Sequence, residues 1–461
     1  MLIVLGLGIL WFSGVCAAIL DGRRRWVGFA SVAAILAAIA ALVALGMNVR
    51  DEGPQTMTAG GWPSGVGIGL TADMLGVTFA LLSLGVLLAA LTFEVFNGVR
   101  SQSFPALVLL LGAGLTGVFL TADAFNFYVF FEIAMISSYI LTGYGDEGRQ
   151  LRSATIFVIV NLLGSAFFLM GIAALYHQTG RLDMAGIAAR VALLNPTSVI
   201  LSAVLIFTAF GIKLGIFPFH FWLPAVYTGT RPAVAAILSG AVANIGTYGL
   251  LRWGGGMLPD ELHTAAPMFF ALGVISILYG SLQALSRRSV AEVVAYSSIG
   301  QVGFILVALA IGGPAGFAAA VLFAIVNAVN KTLLFLSENL RGWLTGFAFA
   351  VGAFSVAGVP PAGGFLGKAG LFQVAAQDDN WIVIALVVVG SVLSFIYMFQ
   401  IYQRRFWTPE VAESANAVAS PVSVRAVVVV LAIITLLIGF WPEPVLWVSE
   451  QAGQSFATTR P

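Results

Sequence analysis

The sequence predicts an all-α polytopic membrane protein of about fourteen transmembrane helices. Three observations carry this. Of 461 residues, 60% are hydrophobic and only 9% are charged, too little charge to cover so much apolar side chain in water. Runs of about 18 or more apolar residues, long enough to cross a bilayer, recur from end to end. The arginines fall with a strong bias in the intervening loops.

A window of about 20 residues places the spans near 2–20, 26–47, 71–97, 104–121, 123–143, 153–176, 197–228, 232–253, 265–285, 290–312, 316–339, 345–375, 381–403 and 423–449. The first run has no basic residue ahead of it and "DGRRR" behind it. That is the reverse of a cleaved leader, so a retained first helix is expected. Residues 182–191, between the sixth and seventh spans, form a short amphipathic piece suited to the membrane surface. The segment 197–228 is too long for one ordinary span and holds Pro218 and Pro224. A proline removes a backbone donor and clashes with the preceding turn, so this span is expected to be broken. A second break is expected at Pro360 and Pro361, within "VAGVPPAGGFLGK". In lipid, such breaks survive only where protein packs them or where they line a wet cavity.

With loops assigned alternately to two sides, 13 arginines collect on one and 5 on the other. The first set is Arg23, Arg24, Arg25, Arg100, Arg149, Arg152, Arg231, Arg287, Arg288, Arg341, Arg404, Arg405 and Arg425; the second is Arg50, Arg181, Arg190, Arg252 and Arg460. The richer side is cytoplasmic by the positive-inside rule, and both termini then face outward. Spans four to eight and nine to thirteen form two groups of five, each with a predicted break. Groups with an odd number of spans enter the membrane from opposite sides, as in proteins built from inverted repeats. Residues 1–100 then hold three N-terminal helices, 101–255 and 256–405 the two five-helix repeats, and 406–461 the last helix.

Net charge is +1, which offers no electrostatic case for nucleic acid. The one cysteine, Cys16, can form no disulfide within the chain, and no metal-ligand cluster assembles around it. No cysteine cluster, dinucleotide fingerprint or phosphate-binding loop is present. No cofactor or metal is therefore expected, and the chain does not read as an enzyme.

The chemistry lies in the buried charges. All three lysines, Lys213, Lys331 and Lys368, fall in apolar spans, while the loops carry arginine. A charged residue at the centre of a span costs about 2.5–3.5 kcal/mol on insertion scales. Lysine can give up its proton when buried, whereas arginine stays charged. Glu132, within "FNFYVFFEIAMISSYIL", is the matching carboxylate. A Glu132–Lys213 pair that opens and closes could move a proton. Other readings stand beside this one: Lys331 and Lys368 could reach an interface, and Lys213 could pair with Glu132 for structure alone. His220, just past Pro218, could carry protons near the break or simply bond to backbone. Asn244 and Asn327 lie in apolar spans, with Asn330 beside Lys331; amides can hold water or a cation but do not relay protons by titrating. Asp73 and Asp123 open spans and read as helix-start carboxylates, and Glu94 and Glu338 as interfacial.

Five stretches, "FLTADAFNFYVFFEIAMISSYIL", "GIKLGIFPFHFWLP", "VVAYSSIGQVGFILVAL", "NKTLLFL" and "AGVPPAGGFLGK", resemble the antiporter-like subunits shared by respiratory complex I and the Mrp cation/proton antiporters. The likeness covers roughly residues 70–405 and is strongest to the D-type Mrp branch. It implies fourteen helices, two inverted five-helix repeats and a buried polar axis in the membrane plane. It places the family's ion-pairing glutamate at Glu132, and its lysines at Lys213 on the first broken helix, at Lys331, and at Lys368 on the second break. It implies a subunit of a multisubunit Na⁺(K⁺)/H⁺ antiporter in a bacterial inner membrane. Its partners would be other membrane subunits, the lipid bilayer, protons and monovalent cations. The alternatives are a proton-translocating subunit of a complex I-like dehydrogenase or membrane-bound hydrogenase, and a non-transporting scaffold subunit. Three features depart from the pattern. Asn244 stands where a lysine or histidine is usual, Asn327 stands where a histidine is common, and the connection at 341–344 is short. The axis then keeps titrating ends and an amide middle, which protons would cross on ordered water.

Overall fold

The computed structural model describes residues 2–62, 67–145, 147–377, 379–407 and 421–456. Among these, twelve segments are long and apolar enough to cross a membrane, accompanied by two shorter apolar helices, Phe104–Leu120 and Trp343–Ala357. The protein is an all-α, multi-pass membrane protein.

The chain begins with α1 (Leu2–Ile19) and α2 (Arg25–Glu52). An antiparallel hairpin follows, β1 (Gln55–Thr58) on β2 (Gly69–Ala72), pairing Gln55 with Ala72 and Thr58 with Gly69. Nothing in the hydropathy pattern announces it. Then come α3 (Met74–Asn97), α4 (Phe104–Leu120), α5 (Ala124–Thr142) and α6 (Gly148–Thr179). The short α7 (Met184–Val191) turns Met184, Ile187 and Val191 inward. The seventh span is broken as the prolines require. It comprises α8 (Pro196–Leu214), a 3₁₀ turn at Phe219–Phe221, and α9 (Trp222–Gly229). The eighth alternates α10 (Pro232–Ile237), a π segment Leu238–Val242, α11 (Asn244–Gly249) and a second π segment Leu250–Met257. Next are α12 (Pro259–Ser286), α13 (Val290–Ile311) and α14 (Gly313–Leu336). The second broken span is α15 (Trp343–Ala357) and α16 (Gly364–Gln377). α17 (Trp381–Phe406) follows, and the run predicted as one span at 423–449 is two helices, α18 (Val422–Phe440) and α19 (Glu443–Gln454), parted at Pro442.

Polar side chains start several of these helices by taking orphan N–H groups of the first turn. Asp73 accepts from Gly76 N at 2.8 Å, Asp123 from Asn126 N at 2.7 Å and Ser289 from Glu292 N at 3.2 Å. Asp73 and Asp123 are thus helix-start carboxylates, as their positions suggest. Glu94 is buried within the protein and accepts from Tyr144 Oη at 3.1 Å, and that hydroxyl also accepts from Arg100 N at 2.8 Å.

The most enclosed spans are Pro232–Met257 and Gly313–Leu336, and α1 lies at the periphery. Between membrane helices there is little hydrophobic drive, so close packing decides association. The α12–α13 contact shows how close: a Cβ on Gly280 would stand 2.5 Å from the backbone nitrogen of Gly300.

One ion pair clasps the centre at the side predicted to face outward. Arg252 forks onto Asp73 at 2.6 and 2.7 Å, and its Nε donates to Tyr248 Oη at 2.9 Å. Tyr248 in turn donates to the Phe119 carbonyl at 2.8 Å. The π segment, α3 and α4 are thereby tied through a bidentate, geometrically specific bond. Asp73→Asn keeps the helix cap but strands the guanidinium. It is expected to cost about 3–5 kcal/mol, read as a lower unfolding temperature in mild detergent. Asp73→Asn with Arg252→Met should cost less than Asp73→Asn alone; damage equal to the sum of the singles would show that the two side chains are not coupled.

Candidate functional site

Lys213 lies in the last turn of α8. The helix ends there because Gly215 takes a left-handed φ of 68°, open to glycine at little cost. Its N–H closes on the Gly211 and Ile212 carbonyls, both at 3.1 Å, and the Trp222 indole donates to the Ile212 carbonyl at 3.0 Å. A helix C-terminus carries partial negative charge, which favours an ammonium. Lys213 is 3% exposed. Its ammonium donates to Asn161 Oδ1 at 3.3 Å, touches Met135 Sδ, and lies 5.6 and 5.3 Å from the ring centres of Phe131 and Phe157. The aromatic faces contribute cation–π attraction. None of these neighbours is charged.

Glu132 lies three residues from Met135 on α5, so it shares this neighbourhood. The expected direct contact is nevertheless not made. Among the described residues the ion pairs are Arg50–Asp51, Arg181–Asp183 and Arg252–Asp73. Glu132 is partly exposed, and its buried Oε1 has no hydrogen-bond partner; the hydroxyl of Tyr139, seven residues on, is likewise buried without one. The pair therefore stands open, with Asn161 and Met135 taking the ammonium.

Lys368 is held differently. α15 ends at Ala357, before Gly358 at φ 81°. Lys368, on α16 across the break, donates to the Ala357 carbonyl at 2.8 Å and lies 5.5 Å from the Phe304 ring centre. The second break thus leaves an orphan carbonyl, and the lysine occupies it. Ser355 Oγ accepts from Gly364 N at 2.9 Å and staples the two half-helices.

Lys331 and Asn327 are buried on α14, where Lys331 is 4% exposed; Lys368 is 5% exposed. The Lys331 ammonium makes no hydrogen bond or ion pair with the described residues, and the Oδ1 of adjacent Asn330 is also without a partner. All three lysine side chains are thus enclosed by protein. Asn244 opens α11 just after the π turn in which Ala243 N–H reaches the Leu238 carbonyl at 3.0 Å. Such turns rotate the side chains that follow them and recur at functional sites. Its amide donates to the Gly240 carbonyl at 2.7 Å. His220 stands apart, partly exposed, with its ring 5.4 Å from Phe217 and 4.4 Å from Tyr279 and with Nδ1 unpartnered. It hydrogen-bonds to none of the lysines.

The elements bearing these residues form an unbroken series of contacts: α5 packs on α6, α6 on α8, α8 on α11, α11 on α14, and α14 on α16. Asn161 and Met135 carry no signal in the sequence, because an amide or thioether in an apolar span usually serves packing.

Residues 121–394 match the family model described as NADH:quinone oxidoreductase/Mrp antiporter, TM. The chain is 30% identical, over 92% of its length and 90% of the relative's, to the D-type subunit of the Na⁺/H⁺ antiporter of Alkalihalophilus pseudofirmus. It shares the fold of a chain in the Mrp complex of a Dietzia species, with a TM-score of 0.89, 24% identity, and coverage of 99% and 98% of the two chains. A chain of an archaeal membrane-bound sulfane sulfur reductase, a respiratory membrane complex, superposes with a TM-score of 0.88 at 28% identity, covering 99% of this chain and 96% of that one. This chain belongs to the NADH:quinone oxidoreductase/Mrp antiporter family of membrane subunits.

Proposed function

We propose that this chain is a subunit of a multisubunit monovalent cation/proton antiporter of a bacterial cell membrane. Protons or cations pass along the series Glu132, Lys213, Asn244, Asn327, Lys331 and Lys368. The observation that carries this reading is the trio of buried lysines with no carboxylate in contact among the described residues. Intramembrane charges are expensive, and unpaired ones that persist mark a pathway. The match to the D-type subunit of a Na⁺/H⁺ antiporter, over nearly its whole length, supports antiport. His220, outside the contact series, would act at the edge of the first break.

In this reading the chain transports and performs no covalent chemistry. The division 101–255 and 256–405 is proposed as two inverted repeats, supported by one glycine-opened break in each, at Gly215 and Gly358. The second reading, a proton-translocating subunit of a respiratory membrane complex, is favoured by the 28% identity to the sulfane sulfur reductase chain. The partner subunits separate the two. Co-purification with redox-cofactor subunits would favour respiration; their absence, together with cation-dependent collapse of a proton gradient, would favour antiport.

The open Glu132–Lys213 arrangement is taken as one state of a switch. When Glu132 approaches, the ammonium leaves Asn161 and is stabilised as a charge; when it withdraws, the proton is released toward α11. Glu132→Gln and Lys213→Met are each expected to abolish exchange in everted vesicles while the assembly still forms. Because Lys213 contacts no carboxylate, Lys213→Met removes a burial cost of about 2.5–3.5 kcal/mol and should leave the unfolding temperature unchanged or higher. Full exchange in either variant sinks the proposal; a lower unfolding temperature in Lys213→Met assigns Lys213 to structure. Asn161→Leu, which deprives the ammonium of an acceptor worth about 1.5–3 kcal/mol, should slow exchange about tenfold or more without loss of assembly. An unchanged rate would show that the amide does not hold the transferring lysine.

A further inference from the structure

Between α8 and α12 lies a cavity of about 480 Å³ that the buried series does not use. Ala203 and Phe207 form one wall, and Ala265, Met268 and Leu272 the other. Ile216 and Pro218 of the first helix break line one part of it, and Glu261, in the first turn of α12, lines another. From residue 261 to 272 an α-helix rises about 16 Å, close to half of a hydrocarbon core about 30 Å thick. The slot therefore has the length of one leaflet. Its lining is apolar except for Thr208, Thr264 and Glu261.

Glu261 is 7% exposed, and its Oε2 is buried without a hydrogen-bond partner. A buried acceptor left unpaired is costly. No lysine or arginine lines the cavity. Asp260, exposed beside it, adds negative charge, and His263, also exposed, lines the neighbouring cavity with Phe317 and Phe456 instead. An apolar slot of leaflet length that is lined by an unpaired carboxylate calls for an alkyl chain with a cationic head that can donate hydrogen bonds. An anionic head would meet Glu261 and Asp260 with repulsion, and a quaternary ammonium has no N–H to offer.

We propose that this slot binds a phospholipid whose head carries a primary ammonium. One acyl chain lies between α8 and α12, and the ammonium donates to the Glu261 carboxylate. The chain end then abuts the break that terminates the Lys213 half-helix, so occupancy supports that half-helix from the lipid side. The site is independent of the transport reading.

The test uses the full chain in membranes with its accompanying subunits. Phosphatidylethanolamine and phosphatidylglycerol carrying the same mid-chain diazirine are photolysed, and labelled peptides are identified by mass spectrometry. Labelling of α12 around Met268 to Leu272 should favour the ethanolamine lipid about tenfold, the worth of one charge-assisted bond. Glu261→Gln should bring the two lipids to parity, and Ala203→Phe, which fills the slot, should remove label from both. Excess dodecylamine should displace the ethanolamine lipid from the unaltered chain. Equal labelling by the two lipids in the unaltered chain, a preference that survives Glu261→Gln, or failure of dodecylamine to compete would each overturn the proposal.

Discussion

An ammonium group inside a bundle of membrane helices must be stabilised by something other than bulk water. This chain holds three with no carboxylate in contact among its described residues. The partial charges of the fold stand in for counter-ions. Lys368 sits on the last carbonyl of α15, and Lys213 sits in the last turn of α8, where the helix dipole ends negative. Each lies over aromatic rings as well. Dipoles and quadrupoles hold a charge less firmly than a carboxylate does. In the proposed transfer, a group held this way is claimed by a carboxylate that approaches.

The breaks that make those dipole ends available are therefore part of the same device. A continuous helix would bury its carbonyls in its own hydrogen bonds and present nothing to a lysine. The glycines at 215 and 358 end the half-helices, and the prolines prevent their resumption. The backbone groups left over are satisfied locally, by the Trp222 indole at the first break and by Ser355 at the second. Irregular backbone at membrane depth is tolerated on those terms. Between the breaks the proposed series is bridged by amides. Asn244 donates to Gly240 within its own span, and the Oδ1 of Asn330, next to Lys331 in sequence, is buried without a partner.

The Arg252–Asp73 fork marks the contrast. Both of its charges are matched, short and bidentate, and they join α3 to the π segment that closes the eighth span. Such a pair has little freedom to exchange protons and acts as a clamp. Matched charges hold the frame, while the unmatched lysines of the interior carry the proposed transfer. The two classes are told apart by partners, not by burial, since all are buried or nearly so.

Much of this was readable along the chain because it is written in local chemistry. Span positions follow from continuous apolar runs, both breaks from proline, and Asp73 and Asp123 from their places before helices. The three lysines stood out because their cost in lipid depends on the residue type alone. What the chain could not disclose is which distant groups meet. Asn161 and Met135 come to Lys213 from 52 and 78 residues away, and Arg252 comes to Asp73 from 179. The hairpin, the π turn ahead of Asn244 and the slot lined by Glu261 likewise arise where separate elements pack. Local composition determined that a charge would be buried. Only the tertiary structure decided what faces it, because hydrogen bonds and ion pairs act over a few ångströms of space, whatever the distance along the sequence.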